Sequence, residues 1–310
     1  TLSSSSAASD VYKRQMCRNA DSLYYPVKES IESVLPIVDE FVVAIGEGYV
    51  GDKTRELIAS INSPKIKIID TVWDTDKFKY GSVHAQQTDI AMKACSGDWL
   101  LYLQADEIIH ERDHSEIVEA CRSCLNEKKV DGFLFNYLHC WGDFDHLQDS
   151  HVWYDREIRI VRNDPSIHSW KSAQSFRRYS NFDESKYLNK KGTQKLNVKC
   201  LKANIYHYGW VRPPALMTKK INALDKIHSH QKERQLKPFS YGDLSKISKF
   251  TGTHPIVMNK WIEQSSWEND GSPSPDYLRH NELNAKVLTW IEKNFLGGKR
   301  IFSNHNFNKL

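Results

Sequence analysis

Two unbroken apolar runs constrain this chain most: F-V-V-A-I at 41–45 and W-L-L-Y-L at 99–103. A run without alternation cannot serve one core face and one solvent face, so each reads as a strand buried on both sides. Such strands belong to parallel sheets covered by helices on both faces, and the intervening sequence supplies the helices. Pro26 opens a helical pattern over 27–35, with proline in the favoured first turn. Helices are also expected over 52–61 and 82–95, the latter stopped by Gly97, with a strand at 65–69 between them. The alternation predicts an α/β fold, a Rossmann-like, mostly parallel sheet flanked by helices.

After a helix expected over 115–128 the pattern changes. Strands at 132–138 and 157–162 follow with no helix between them, and 204–208 reads as a last short strand. The stretch 175–195, rich in Arg, Lys and Asn, reads as a long loop or irregular hairpin. From 215 onward the pattern is helical (215–235, 255–264, 282–295), a helical C-terminal region of 215–310 appended to a domain of 16–214. Residues 1–15 are set apart. Positions 1–9 are Ser/Ala-rich, 10–15 are polar, and the segment resembles translated vector or adapter sequence.

With 40% hydrophobic and 26% charged residues, a packed core is expected rather than disorder. The net charge of +4 suits an anionic substrate such as a nucleoside diphosphate, or loose peripheral contact with an acidic membrane. No nucleic-acid partner is expected, because no dense basic stripe with interleaved aromatics occurs outside 177–195. Six cysteines form no disulfide framework, and the C-x-x-C of Cys121 and Cys124, with no second pair nearby, reads as reduced structural thiols. No apolar run reaches the roughly 18 residues of a membrane span. A cytoplasmic location with membrane-surface contact is the expectation.

The sharpest chemical feature is L-Q-A-D-E at 103–107, where the second apolar run ends. Ligands of open parallel sheets bind beyond the carboxyl ends of the strands. Adjacent carboxylates there, Asp106 and Glu107, can hold a hard divalent cation through oxygen and so neutralise a diphosphate leaving group. Alternatively they cap the helix that follows.

An ordered series surrounds this segment: C-R-N-A at 17–20, Y-P-V-K-E-S-I-E-S-V-L-P-I-V-D-E-F-V-V at 25–43, G-E-G-Y-V-G-D-K-T at 46–54, G-S-V-H-A-Q-Q at 81–87 and S-G-D-W-L-L-Y-L-Q-A-D-E at 96–107. Over 17–212 the chain resembles family 2 glycosyltransferases of the GT-A fold. The resemblance implies a nucleotide-sugar donor, a saccharide or lipid-linked acceptor, Mn²⁺ or Mg²⁺, and inversion at the anomeric carbon. Carried over by position, Arg18 and Asn19 would seat the nucleotide, Glu47 and Asp52 would contact base and ribose, and Gly81 and Gln86 would close over it. Asp106 matches the last acid of the D-x-D motif that reaches the metal. The first acid of that motif is replaced by Gln104, which hydrogen-bonds without adding charge. His207, in N-I-Y-H-Y-G-W-V-R at 204–212, is a further expected metal ligand, with Arg212 on the diphosphate beside Lys219 and Lys220. The base of an inverting transfer is sought among Asp143, Asp145, Asp155, Glu157 and His168, and Asp155, just before the strand, is the expected one.

The same resemblance creates a conflict, since the first strand should be apolar and central, whereas 10–16 reads D-V-Y-K-R-Q-M. Either the native strand has been replaced or the charges sit at a rim. Two other functions compete. A sugar-phosphate nucleotidylyltransferase would want a glycine-rich basic loop where C-R-N-A-D-S-L stands, and an inactive glycan- or nucleotide-binding module would tolerate the loss of the D-x-D acid.

Overall fold

The computed structural model describes residues 11–229, 239–269, 271–275, 278, 280, 282–297, 300–301 and 305–310. Its first half is the expected alternation: β1 (Val11–Cys17), α1 (Val27–Glu32), β2 (Glu40–Gly46), α2 (Thr54–Ala59), β3 (Ile66–Thr71), α3 (Ser82–Lys93) and β4 (Trp99–Tyr102). The two apolar runs are β2 and β4, and both are buried on both faces. β1 pairs in parallel with each of them and β2 pairs in parallel with β3. The carboxyl ends of β1, β2 and β4 therefore share one edge.

The second half continues with β5 (Glu107–Ile109), α4 (His114–Ser123), β6 (Gly132–Trp141), β7 (His146–Leu147), β8 (Arg156–Arg162), β9 (Ile167–Trp170), β10 (Ser175–Tyr179) and β11 (Thr193–Trp210). The main sheet runs β3-β2-β1-β4-β8-β6-β11-β10-β9. A parallel quartet is joined through one antiparallel strand, β8, to a further parallel pair, β6 and β11. Because β8 runs backwards against β4, its first residues return to the edge where β4 ends.

Two layers of core cover the sheet. On one face Val27 and Ile31 of α1, Ile58 of α2, and Ile117 and Cys121 of α4 pack on Phe41, Val43, Trp99 and Leu101. On the other, Ala91 and Met92 of α3 join Phe176 and Ile167 over Val42, Leu100 and Tyr102. Cys121 is sealed there, its thiol pushed up to about 12 by burial, a structural thiol as expected.

The stretch 175–195 is the expected hairpin, formed by β10 and the start of β11. β11 extends over 18 residues where only 204–208 read as a strand. Its first part alternates, with Lys195, Lys199 and Lys202 between buried Leu196, Val198 and Leu201, so no continuous apolar run announces it. The tail carries α5 (Pro214–Ser229), β12 (Ser248–Lys249), α6 (Asn259–Gln264), α7 (Leu283–Phe295) and β13 (Phe307–Lys309). It is mainly helical, but β12 pairs with β7 and β13 joins β11. The end of the helix expected over 215–235 falls partly outside the described residues. No helix among them is long and apolar enough to cross a membrane.

Residues 11–15, grouped with the leader by composition, form most of β1. Arg14 is fully buried between β2 and β4, and not at a rim. Its Nε, Nη1 and Nη2 have no hydrogen-bond partner, and its guanidinium lies 4.9 Å from the centre of the Phe176 ring. Backbone pairing with two strong neighbours sets the strand, whatever the side chains.

Candidate active site

Beyond the shared edge lies a cavity of about 500 Å³. Arg18 and Asn19 enter it from the end of β1, Gln104 and Asp106 from the end of β4, and His207 from β11. Three segments far apart in sequence thus line one space. Arg18 donates to the Glu47 carbonyl at 2.7 Å and spreads over Trp73. Asn19 takes a positive φ of 55° and accepts from the Tyr49 amide at 2.6 Å, which ties the β1 and β2 loops together.

Glu47 and Asp52 line an adjoining depression of about 460 Å³, linked to the first through Tyr49. Asp52 accepts from the Ser22 and Thr54 amides. Partial burial raises its pKa, but these bonds outweigh burial and hold it below the usual range.

Asp106 sits at the centre, almost fully buried. Lys220 of α5 donates to its Oδ2 at 3.1 Å and to the Gly209 carbonyl at 2.6 Å. Burial alone would raise the carboxyl, but Lys220, His207 and Arg212 outweigh it and hold the pKa at about 2. Burial and the charge of Arg212 bring Lys220 down to about 7 against the opposing pull of Asp106.

The tautomer of His207 follows from its neighbours. His139 Nε2 faces the Tyr154 carbonyl at 2.7 Å and must donate. Burial holds His139 near 3 and His207 near 4, so both rings are neutral. The Nδ1 of His139 then accepts from the Nδ1–H of His207 at 2.9 Å. His207 Nε2 is left with its lone pair turned toward Asp106 Oδ2, 3.8 Å away. Two acceptors thus face one space, beside the Lys220 ammonium that already donates to Asp106 Oδ2. Gly209 keeps that space open, because a Cβ there would collide with His207 Nε2 and lie 2.7 Å from Asp106 Oδ2. Gly209→Ala is expected to push the His207 ring or the Asp106 carboxylate aside and to cost about 1–3 kcal/mol, read by urea unfolding.

One carboxylate oxygen and one imidazole nitrogen are the groups in this space that could hold a divalent cation. Among the described residues no group of three His, Cys, Asp or Glu could hold a metal alone. Glu107, expected as a ligand, turns the other way. Its Oε1 accepts from Arg159 Nη2 at 2.7 Å and Tyr137 at 2.8 Å; its Oε2 accepts from Arg159 Nε at 2.8 Å and the Gln104 amide at 3.1 Å. All its lone pairs are spoken for. Asp106 closes the turn after β4 and Glu107 opens β5, and the two carboxylates reach different partners, Lys220 and Arg159.

Gly81 and Gln86 do not line the cavity. Gly81, with φ of 78°, starts α3 and lets His228 of α5 approach, and its amide donates to the Ile227 carbonyl at 3.1 Å. Gln86 accepts from Gln87 at 2.8 Å. His84, on the same helix, reaches the cavity instead. Arg212 is fully buried over Tyr25, with a bond to the Leu23 carbonyl, behind the cavity wall. Lys220, expected at the diphosphate, does line the cavity; the rest of the α5 face, with Tyr25, Trp73 and Trp210, is added to the wall by the structure. The signal for α5 was present in Lys220, Ala223, Leu224 and Ile227, whose spacing lines one face of a helix.

Asp155 lies at the same sheet edge but faces a second cavity, of about 600 Å³. Glu157 shares that wall, its Oε1 accepting from Gln174 Nε2 at 3.3 Å, and burial raises its carboxyl to about 7. A raised folded-state pKa means stability is fullest below the unfolded value near 4.5 and is lost as pH rises through about 7. Glu157→Gln is expected to abolish that decline, roughly 3 kcal/mol between pH 4.5 and 7, in urea unfolding measured across that range.

No family model matches this chain, and no curated protein matches it. Solved structures similar to it include S. aureus TarS, at 13% identity over 72% of this chain and 41% of that one, with a TM-score of 0.40. A 1–349 form of TarS in complex with UDP-GlcNAc has 13% identity, coverage of 70% and 66%, and a TM-score of 0.39. Glucosyl-3-phosphoglycerate synthase from Mycobacterium tuberculosis, with Mn²⁺, UDP and phosphoglyceric acid, has 14% identity, coverage of 43% and 44%, and a TM-score of 0.29. The chain spans about two fifths of the length of the first.

Proposed function

We propose that this chain is a glycosyltransferase that binds a nucleotide-sugar donor in the Asp106 cavity and passes the sugar, with inversion, to an acceptor hydroxyl. The observation that carries the reading is the Asp106–His207–Lys220 cluster, an anion, a bare imidazole nitrogen and a buried ammonium meeting beyond the ends of parallel strands. A diphosphate bridging Lys220 and a cation on Asp106 and His207 would satisfy every group there. Arg18, Asn19, Glu47 and Asp52 are proposed to hold the nucleoside, with Gln104 on the ribose and Arg212 lending positive charge from behind the wall.

Asp106 and His207 would hold Mn²⁺ or Mg²⁺, which supplies Lewis-acid neutralisation of the departing diphosphate. Lys220 adds positive charge to the same oxygens. The acceptor oxygen forms its bond to the anomeric carbon as the bond from that carbon to the diphosphate oxygen breaks. The hydroxyl proton passes to a carboxylate, proposed as Asp155, and the nucleoside diphosphate leaves.

The experiment is a panel of UDP-, GDP-, CMP- and dTDP-sugars with and without Mn²⁺ or Mg²⁺, followed by calorimetry and nucleotide release. Metal-dependent binding of one member and its loss in Asp106→Ala are expected. Binding of no sugar nucleotide would overturn the proposal; binding without turnover on any acceptor would favour a binding module. Asp155→Asn is expected to cut kcat at least a hundredfold with donor binding intact. Wild-type turnover in that variant, with loss in Glu157→Gln, would move the base to Glu157.

A further inference from the structure

The second cavity is built unlike the first. It opens at the edge where β8 begins, beside the end of β4, and its lining meets that of the first cavity. Consecutive residues line the two, Lys171 the second cavity and Ser172 the first. Trp153 of the second cavity packs edge-on to Trp210 of the first, with ring centres 5.7 Å apart. A molecule in one cavity is thus a neighbour of a molecule in the other.

The lining joins aromatic surface to positive charge. Trp153 and Trp170 lie in the wall, and Arg156, Lys171, Lys190 and Lys195 surround them. Among the described residues none of these four cations is paired with a carboxylate. Lys171 sits 4.5 Å from the centre of the Trp170 ring, and Arg156 donates to Asn136. Arg300, also in the lining, is already engaged by Glu292 at 3.2 Å. Against these stand the carboxylates Asp155 and Glu157, with the amides of Gln174 and Asn306 beside them. Trp170 is buried under Lys171 and Arg177, so the half-buried Trp153 is the indole that offers apolar surface to a sugar ring. Carboxylates and amides suit its hydroxyls, and the cluster of four cations without a carboxylate partner favours an anionic group on the same molecule. A polyanion such as RNA would meet both carboxylates, whereas a saccharide with one acidic group satisfies the whole lining.

We propose that the second cavity binds the acceptor of the transfer and selects a saccharide bearing an anionic group, a carboxylate or a phosphate. This rests on the reading of the Asp106 cavity as the donor site.

The test is an array of matched saccharides, neutral, uronate-bearing and phosphorylated, probed with the full chain. Acidic members are expected to be retained at least tenfold above their neutral counterparts, and the uronate and phosphate arms identify which anion is read. Lys190→Glu with Lys195→Glu is expected to remove that preference at least tenfold, leaving binding of UDP, GDP, CMP and dTDP unchanged within twofold. Lys190→Gln with Lys195→Gln, milder toward folding, is expected to act in the same direction. Equal retention of neutral and acidic members, retention that survives charge reversal, or no retention of any saccharide would overturn the proposal. Failure of every nucleotide to bind would overturn the donor reading instead, whatever the array gives.

Discussion

Arg14→Met is expected to stabilise this protein by about 2–4 kcal/mol and to raise Tm by roughly 5–10 °C. The guanidinium lies in a central strand with none of its nitrogens hydrogen-bonded, and burial pulls its pKa down to about 10. A lowered pKa on a base marks a penalty that is complete below the folded value and relieved only as pH rises from about 10 toward 12.5. The gain from substitution is therefore level between pH 5 and 9. The rings of Phe176 and Tyr102, at 4.9 and 6.0 Å, offset part of the cost. Methionine keeps the unbranched stem that fills this space and removes the charge. Thermal and urea unfolding at pH 7 measure the effect, and an unchanged or lower Tm would show that Arg14 is accommodated without cost.

Glu107→Gln should act in the opposite direction, with a loss of about 3–5 kcal/mol. Glu107 and Arg159 form a bidentate pair in which both side chains are almost completely inaccessible, and Tyr137 and the Gln104 amide complete the carboxylate's shell. Neutralising the acid leaves a guanidinium in the core without its counter-charge. The double variant Glu107→Leu with Arg159→Met is expected to recover most of the loss, because neither charge is then stranded. Both variants are read by urea unfolding in the presence of EDTA, so that a metal contribution cannot enter. A Glu107→Gln protein of wild-type stability, with metal binding abolished, would return Glu107 to the metal and remove it from the fold.

The difference between Asp106 and Glu107 shows where sequence reading stops. Both stand at a strand end in L-Q-A-D-E, and either could meet a cation. Side-chain direction separates them. Asp106 faces α5 and Lys220, 114 positions away, and Glu107 faces Arg159, 52 positions away. Nothing local to the segment encodes those partners. Gly209 is a similar case: the glycine is visible in H-Y-G-W, but the collision it avoids with its neighbour's ring depends on the bend of β11 near its end.

β2 and β4 were legible because an unbroken apolar run reports burial on two faces without reference to anything else. The helices between them, the parallel first half and the edge at which ligands gather followed from local pattern and chain order. β1 is the opposite case. Its charged residues argue against a central strand, yet the hydrogen-bonding edges of β2 and β4 draw V-Y-K-R-Q-M-C between them. Tertiary structure alone decided which acid faces the cavity, that α5 closes it, and that Asp155 and Glu157 open onto a space beside it. Burial in a run is a property each segment carries in itself. The chemistry of a site depends on which side chains from distant segments point at one another, and only packing sets that.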